Sequence, residues 1–354
     1  MNSTRIYDKP IHKTGFYLFL MFFILLQSCQ NEVKVNAEWK EVPVIYGLLD
    51  PNSAINYIRI NRVFLNESGA AISYASEPDS IYFPDLTVEL TEFKDGAPRK
   101  TFTLERVMGD SLGLPKDSGI FANAPNYLYR VNEPIQASSF AGIYSYALKV
   151  TNNQSGQVYT AETITGGLME LFSPIRMNDP EINITDDSTK SMAISYREGA
   201  QVAAYDLVVK FRYAEYTKED KSDMKMDSVI WRMFQGKETR TLRGYEITNE
   251  IVSQSIFYYM LRSNLEADST IKREALNVDF IFYGAGEDLY TYVQVNKPSI
   301  GIVQKKPEFS NIENALGIFS SRYVTTFGPA RIGETMQFTL TNSPITKDLN
   351  FVTP

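Results

Sequence analysis

From Val42 onward the chain keeps returning to a two-residue rhythm of apolar and polar side chains, interrupted by clusters of Pro, Gly, Asn and Asp. That rhythm restricts the fold more than any other feature, because successive strand side chains point to opposite faces and such a pattern cannot keep one face of a helix apolar. In Ile55–Phe64 it places Tyr57, Arg59, Asn61 and Val63 on one face and Ile58 and Ile60 on the other. Val44–Leu49 precedes this strand and is separated from it by Asp50-Pro51-Asn52-Ser53, a dense turn signal. Leu86–Phe93 and Lys100–Leu104 read as a hairpin around Asp95-Gly96, a pair that supplies the positive φ of a tight hairpin turn. A second hairpin joins Gly142–Val150 to Val158–Thr163 through Asn152–Gly156. Strands in this succession, without helical periodicity between them, predict an immunoglobulin-like antiparallel sandwich over residues 42–166.

Gly166-Gly167 through Ser173-Pro174 marks the expected boundary, and a second β-rich domain is predicted over 174–354, carrying one or two helices. Its strand signals are Met192–Tyr196, the long alternating run Ala204–Tyr213, Asp227–Phe234, Asn277–Tyr283, Ile318–Phe327 and Met336–Leu340. One helix is expected from a cap at Thr248 or Asn249 through Leu265. The other opens at Glu287-Asp288, where acids suit the positive end of the helix dipole. Residues 65–84 and 106–135 are read as long polar loops, of the kind that carries function when it is ordered.

The N-terminus has a different character. Arg5, Lys9 and Lys13 precede an apolar run, Gly15–Leu26, which is too short to span a bilayer and has the layout of a secretory signal peptide over residues 1–28. Leu26-Gln27-Ser28-Cys29 resembles a bacterial lipobox, which implies cleavage before Cys29, acylation of its sulfur and a tether over residues 29–41. The competing readings of this run are an ordinary signal peptide that ends near a cysteine and an N-terminal membrane anchor. Two or more acyl chains hold a protein stably, at roughly 0.8 kcal/mol per buried CH₂.

Composition then removes several classes of function. The formal charge is −7 and becomes −9 once Arg5, Lys9, Lys13 and Asp8 are cleaved away, which disfavours nucleic acid and electrostatic attachment to anionic lipid. The only histidine, His12, lies in the signal segment, and Cys29 is the only cysteine. The mature chain therefore has no material for a Ser-His-Asp or Cys-His nucleophile system, a His/Cys zinc site or a disulfide. No cofactor and no metal site is expected.

Three further stretches carry a family resemblance: Tyr46-Gly47-Leu48-Leu49 ahead of the strand at Ile55, Gly142–Leu148 ahead of Tyr159-Thr160-Ala161, and Ser310–Phe319 with its Asn-Ile and Gly-Ile-Phe elements. Behind a lipobox, their order and spacing resemble the Bacteroidetes envelope lipoproteins grouped as the DUF4249 family. The resemblance implies a cell-envelope lipoprotein, often encoded beside TonB-dependent outer-membrane transporters, and it brings no known active site.

Among individual residues, Asn311 and Asn314 are expected to bond a bent backbone ahead of Gly317. The acid pairs Asp186-Asp187, Asp220/Asp223 and Glu287-Asp288 read as solvated turns, since glycoside hydrolysis needs two carboxyls held across a cleft. The aromatics of the segment from Phe121 to Tyr129 (Phe121, Tyr127 and Tyr129) are the ligand-binding candidates, because they fall in an expected loop. The expected function is non-catalytic binding of a ligand or protein partner at the outer membrane, with a carboxylate-dependent glycan hydrolase as the alternative. Facing acids in a cleft between the domains would favour the enzyme; exposed loop aromatics would favour binding.

Overall fold

A computed structural model describes residues 41–64, 77–119, 122–175, 178–217, 220–298 and 308–353. The expected signal segment, Cys29 with residues 30–40 of the expected tether, and Phe121 lie outside the described residues, and Glu41, the last residue of that tether, opens the first strand. The protein is mainly β, built from two sandwiches that share one sheet.

The first sandwich uses β1 (Glu41–Leu49), β2 (Asn56–Phe64), β3 (Leu86–Lys94), β4 (Ala97–Thr103), β5 (Glu105–Met108), β6 (Tyr127–Val131), β7 (Tyr144–Asn152) and β8 (Val158–Ile164), with a single helical turn, α1 (Pro78–Ile81), ahead of β3. One layer runs β1-β2-β6-β5 and the other β4-β3-β7-β8. In immunoglobulin lettering this is A-B-E-D against C′-C-F-G, so the expected fold is the observed one. Inward residues of both layers meet in one core, including Ile45, Ile58 and Ile60 from the first and Leu90, Tyr146 and Leu148 from the second. The β3–β4 hairpin turns at Asp95 and Gly96, with φ of 50° and 78°. Tyr146 at the start of β7 accepts a hydrogen bond through its hydroxyl from the Gln136 backbone N–H (2.8 Å) and donates one to Glu92 (2.7 Å). That ties the β6–β7 connection to the core in the manner of an immunoglobulin tyrosine corner.

The second half adds β9 (Glu170–Ser173), β10 (Glu181–Ile182), β11 (Ser191–Arg197), β12 (Ala204–Thr217), β13 (Lys225–Glu238), β14 (Ile247–Ser253), α2 (Ser255–Asn264), β15 (Ile271–Ala285), α3 (Glu287–Asn296), β16 (Leu316–Ile332), α4 (Glu334–Asn342) and β17 (Phe351–Val352). Its layers are β14-β11-β9 and β13-β12-β15-β16, an A-B-E sheet against a C′-C-F-G sheet. The second half thus repeats the plan of the first, and among the described residues it carries three α-helices where one or two were expected. Its core combines Ile194 and Tyr196 from one layer, Leu207, Phe211, Phe280 and Phe282 from the other, and Phe257, Tyr258 and Leu261 from α2.

Strand pairing continues across the boundary expected at 166–174. β1 pairs in parallel with β16, Val44–Leu49 against Leu316–Ser321, so the A strand of one sandwich is bonded to the G strand of the other. Ile312 and Phe319 accordingly belong to the first core although they lie in the C-terminal segment. The Gly166-Gly167 linker is buried and clamped, with the Gly167 N–H bonded to the Ala200 carbonyl (2.7 Å). A Cβ on Gly167 would lie 2.4 Å from the Ser138 carbonyl oxygen, so glycine there lets backbone meet backbone at the seam.

Three local expectations are corrected. Thr248 and Asn249 lie in β14, paired with β11 opposite Tyr196 and Ser195, and the helix starts only at Ser255; sheet pairing outweighs their capping preference. Met336–Leu340 is helical within α4, burying Met336, Gln337, Thr339 and Leu340 at helical spacing and exposing Phe338. Residues 106–135 are not one loop, because β5 and β6 pair within them, Arg106 opposite Tyr129.

Candidate functional site

Tyr127 and Tyr129 are therefore strand residues. Tyr129 is buried in the first core. Tyr127 packs edge-on against Tyr82 at 5.0 Å and lies under the Arg106 guanidinium at 3.9 Å. Neither is a free loop aromatic, for the reason that fixes strand faces: Tyr127 and Tyr129 are held in β6, whereas Asn126 and Leu128 turn the other way, into a cleft described below. Five of the six acids in these pairs accept a hydrogen bond. Asp186 accepts from the Ser343 hydroxyl, Asp187 from Thr189, Asp220 from Ser222, Asp223 from the Thr217 N–H, and Asp288 from Asn311. Asn311 does what its position suggests: its side chain accepts from the Phe319 N–H (2.9 Å) and donates to the Phe319 carbonyl (2.7 Å), imitating a strand neighbour.

Two concave surfaces stand out. The first is a groove of about 900 Å³ where the β3–β4 turn and residues 139–143 of the first sandwich meet residues 200–201 and 243–246 of the second. Phe140 projects from it with 88% of its surface exposed. The Phe140 N–H donates to the Tyr245 hydroxyl (2.7 Å), and the rings meet edge-to-face at 5.5 Å. Tyr245 sits at φ 68°, uncommon for a bulky residue, and the Gly244 turn before it presses on Gly199 and Ala200, where any Cβ would fall 2.5 Å from the Ala200 nitrogen. Two carboxylates border this groove. Asp95 accepts from the Ile143 N–H (2.8 Å), and Glu246 lies 3.9 Å from the Arg240 guanidinium.

The second surface is a cleft of about 680 Å³ on the outer face of the shared sheet, opposite the cores. Its floor is a row of directly paired residues: Ile318 of β16 opposite Tyr46 of β1, and Tyr46 opposite Arg59 of β2. α3 forms one wall through Leu289, Tyr292 and Val293, and Leu114-Pro115 the other. α3 is held on the sheet by the Leu289 N–H bonding the Ser320 hydroxyl (3.1 Å). Burial, helped by a hydrogen bond with Tyr292, pushes the Tyr46 phenol up to about 12. Arg59 is half-buried; one terminal nitrogen reaches the Asn126 side-chain oxygen at 3.4 Å, while its Nε is buried without an acceptor among the described residues. At the far end Arg322 lies 3.5 Å from Asp50, whose carboxyl burial raises its pKa against the opposing pull of the Asn52 N–H and Arg322. The alternation of the sequence places Tyr57 and Arg59 on the face opposite Ile58 and Ile60, which is the available signal; that α3 walls that face is not visible from spacing.

No protein-family model matches the chain, and no curated protein does. Among solved structures, the native conformation of E. coli alpha-2-macroglobulin overlaps 76% of this chain at 8% identity and a TM-score of 0.19, this chain spanning only 18% of that one. CBD12 from CALX1.2 overlaps 79% of this chain and 98% of its own length, at 10% identity and a TM-score of 0.17. Neither likeness bears on the site.

Proposed function

We propose that the protein is a non-catalytic binding component of the cell envelope, tethered to the outer membrane through an acylated Cys29 and engaging a protein partner, a TonB-dependent transporter being the partner implied by the resemblance to the DUF4249 lipoproteins. The observation that carries the binding reading is Phe140. A ring left 88% exposed, on a backbone tied by its N–H to the Tyr245 hydroxyl and meeting the Tyr245 ring edge-to-face, is the arrangement of an interface anchor, since exposed aromatic side chains dominate protein interfaces. The test is affinity capture of the full lipoprotein from detergent-solubilised envelope. The native protein is expected to bring down an outer-membrane transporter in stoichiometric amount, and Phe140→Ala to lose it. Recovery of no transporter, or equal recovery with Phe140→Ala, refutes the partner reading. Cys29→Ser is expected to release the protein from the membrane fraction, and firm attachment with unchanged processing would refute the tether.

A further inference from the structure

We infer that the outer-face cleft between β1, β2 and α3 is a binding site for an amphipathic organic anion, a ligand with an apolar or ring-shaped body and one compact anionic head, carboxylate or phosphate. The inference rests on the cleft alone and does not depend on the partner assigned to the Phe140 groove.

The polar groups of the cleft separate into those already used and those still open. The Asn56 side chain is consumed by Asp50, accepting from its N–H (2.7 Å) and donating to its carbonyl (3.1 Å). The Asn126 amide donates to the Leu114 carbonyl, and the Ser53 hydroxyl donates to the Ile55 carbonyl. These groups shape the walls and have little left for a ligand. What remains is cationic: the Arg59 guanidinium, whose one long contact is to Asn126 and whose Nε is buried without an acceptor among the described residues, and Arg322, half exposed at the mouth and shared there with Asp50. Among the described residues no carboxylate lines the cleft, the nearest being Asp50 behind Arg322, in a chain whose acids outnumber its bases by seven. A guanidinium fork presents paired N–H donors in a plane, which suits a carboxylate or phosphate and gives a neutral or cationic head nothing to match.

The remainder of the lining is apolar and unusually open for such residues. Tyr46, Ile55, Leu114 and Val293 each keep 39% to 47% of their surface exposed. Together with Leu289 and Tyr292 they offer a surface that water hydrates poorly and that a flat or branched apolar body would cover. The volume, about 680 Å³, falls within the usual range for small-molecule sites of roughly 300–1,000 Å³. The head would meet Arg59 on the sheet floor, and the body would lie along α3.

The test uses the full chain in neutral maltoside micelles, with micelles alone subtracted, and four fluorescent probes of one body and different heads: naphthylacetate, naphthyl phosphate, naphthylethanol and naphthylethylammonium. At least one of the two anions is expected to bind about tenfold or more tightly than the alcohol, the ammonium most weakly, and the stronger anion identifies the head. Arg59→Gln is expected to bring that anion to the affinity of the alcohol, Arg59→Lys to recover part of it, and Val293→Trp to abolish binding of every probe by filling the cleft. Lys225→Gln, on an exposed strand of the other sandwich, is expected to leave all affinities unchanged. Equal binding of alcohol and anions, an unchanged anion affinity in Arg59→Gln, unchanged binding in Val293→Trp, or no binding of any probe to the native chain would each overturn the assignment. Where Arg59→Gln fails to give the native circular dichroism, Arg322→Gln provides the same comparison, with an expected loss for the anions only.

Discussion

Gly317, in β16, is where the two sandwiches are joined, and replacing it with alanine should cost more than the same change at the Asp95-Gly96 turn. It lies opposite Ile45 in the parallel β1–β16 register, at φ +110°, and an ideal Cβ there would sit 2.0 Å from the Ile45 carbonyl oxygen. Two penalties add. Holding an L-residue in that backbone region costs of order 1–3 kcal/mol, and forcing backbone apart inside a packed sheet costs typically about 1–3 kcal/mol more. Gly96 supplies the control, since it also has positive φ (+78°) but nothing within 4 Å of its would-be Cβ. Gly96→Ala should therefore show only the conformational part, about 1 kcal/mol. In urea, with m near 3 kcal/mol per M, the summed cost of about 2–6 kcal/mol should lower the midpoint by about 0.7–2 M for Gly317→Ala, against about 0.3 M for Gly96→Ala, m being unchanged. Equal shifts for the two variants would show that the Ile45 carbonyl does not press on Gly317, and the description of the seam would fail with it.

Three further outcomes follow from named contacts. Tyr146→Phe leaves the Gln136 N–H without its acceptor and should destabilise by about 1–3 kcal/mol, measured by urea or thermal melts against Tyr259→Phe, an exposed control expected to change nothing. Burial raises the phenol pKa of Tyr146, Tyr196, Tyr205 and Tyr258. The stability these neutral phenols contribute is complete below the ordinary tyrosine value near pH 10 and is lost as pH rises through the raised values. Phenolate absorbance should therefore develop in two stages, the second coinciding with loss of native circular dichroism; a single stage near pH 10 with the fold intact would contradict it. At the acid end, the Lys221 ammonium and then the Tyr216 hydroxyl hold the Glu274 carboxyl below its usual range. Its contribution is present above the ordinary value of 4.5 and disappears as pH falls through the lowered one, so Lys221→Met should flatten the acid limb of a stability–pH curve.

Strand faces were the most legible part of the sequence, because period two needs no knowledge of tertiary context: Ile58 and Ile60 go inward and Tyr57 and Arg59 outward, as their alternation requires. The Asp95-Gly96 turn was legible for a similar local reason. What failed was any segment whose state is decided by a distant partner. Thr248 and Asn249 have good capping side chains, yet β11 claims them for a sheet. Tyr127 and Tyr129 sit within a stretch rich in Pro and Gly, yet β2 and β5 draw them into a strand. Met336–Leu340 is too short for its alternating and helical patterns to be told apart without knowing that Met336 and Leu340 both enter the second core. The cleft was hidden for the strongest version of this reason, since its floor is contributed from positions 46, 59 and 318, and no local pattern joins them.

The shared sheet gives that separation a physical consequence. In two sandwiches joined by a loose linker, a site contributed by both would open and close with the hinge. Here the A strand of one and the G strand of the other are adjacent members of one hydrogen-bonded ladder, and Phe319, one residue from the cleft floor at Ile318, is buried in the first core. Arg59 and Tyr46 on one side and α3 on the other are consequently fixed within a continuous sheet, the condition under which a preorganised cleft loses least on binding. Gly317 is next to Ile318 along the chain, so the same methyl group that strains the seam should also displace the cleft floor. Anion affinity in Gly317→Ala, measured under conditions where the variant remains folded, is therefore expected to fall, whereas Gly96→Ala should bind as the native chain does. An unchanged affinity in the strained variant would mean that the cleft is held by the first sandwich alone and that the joined ladder has no part in organising it.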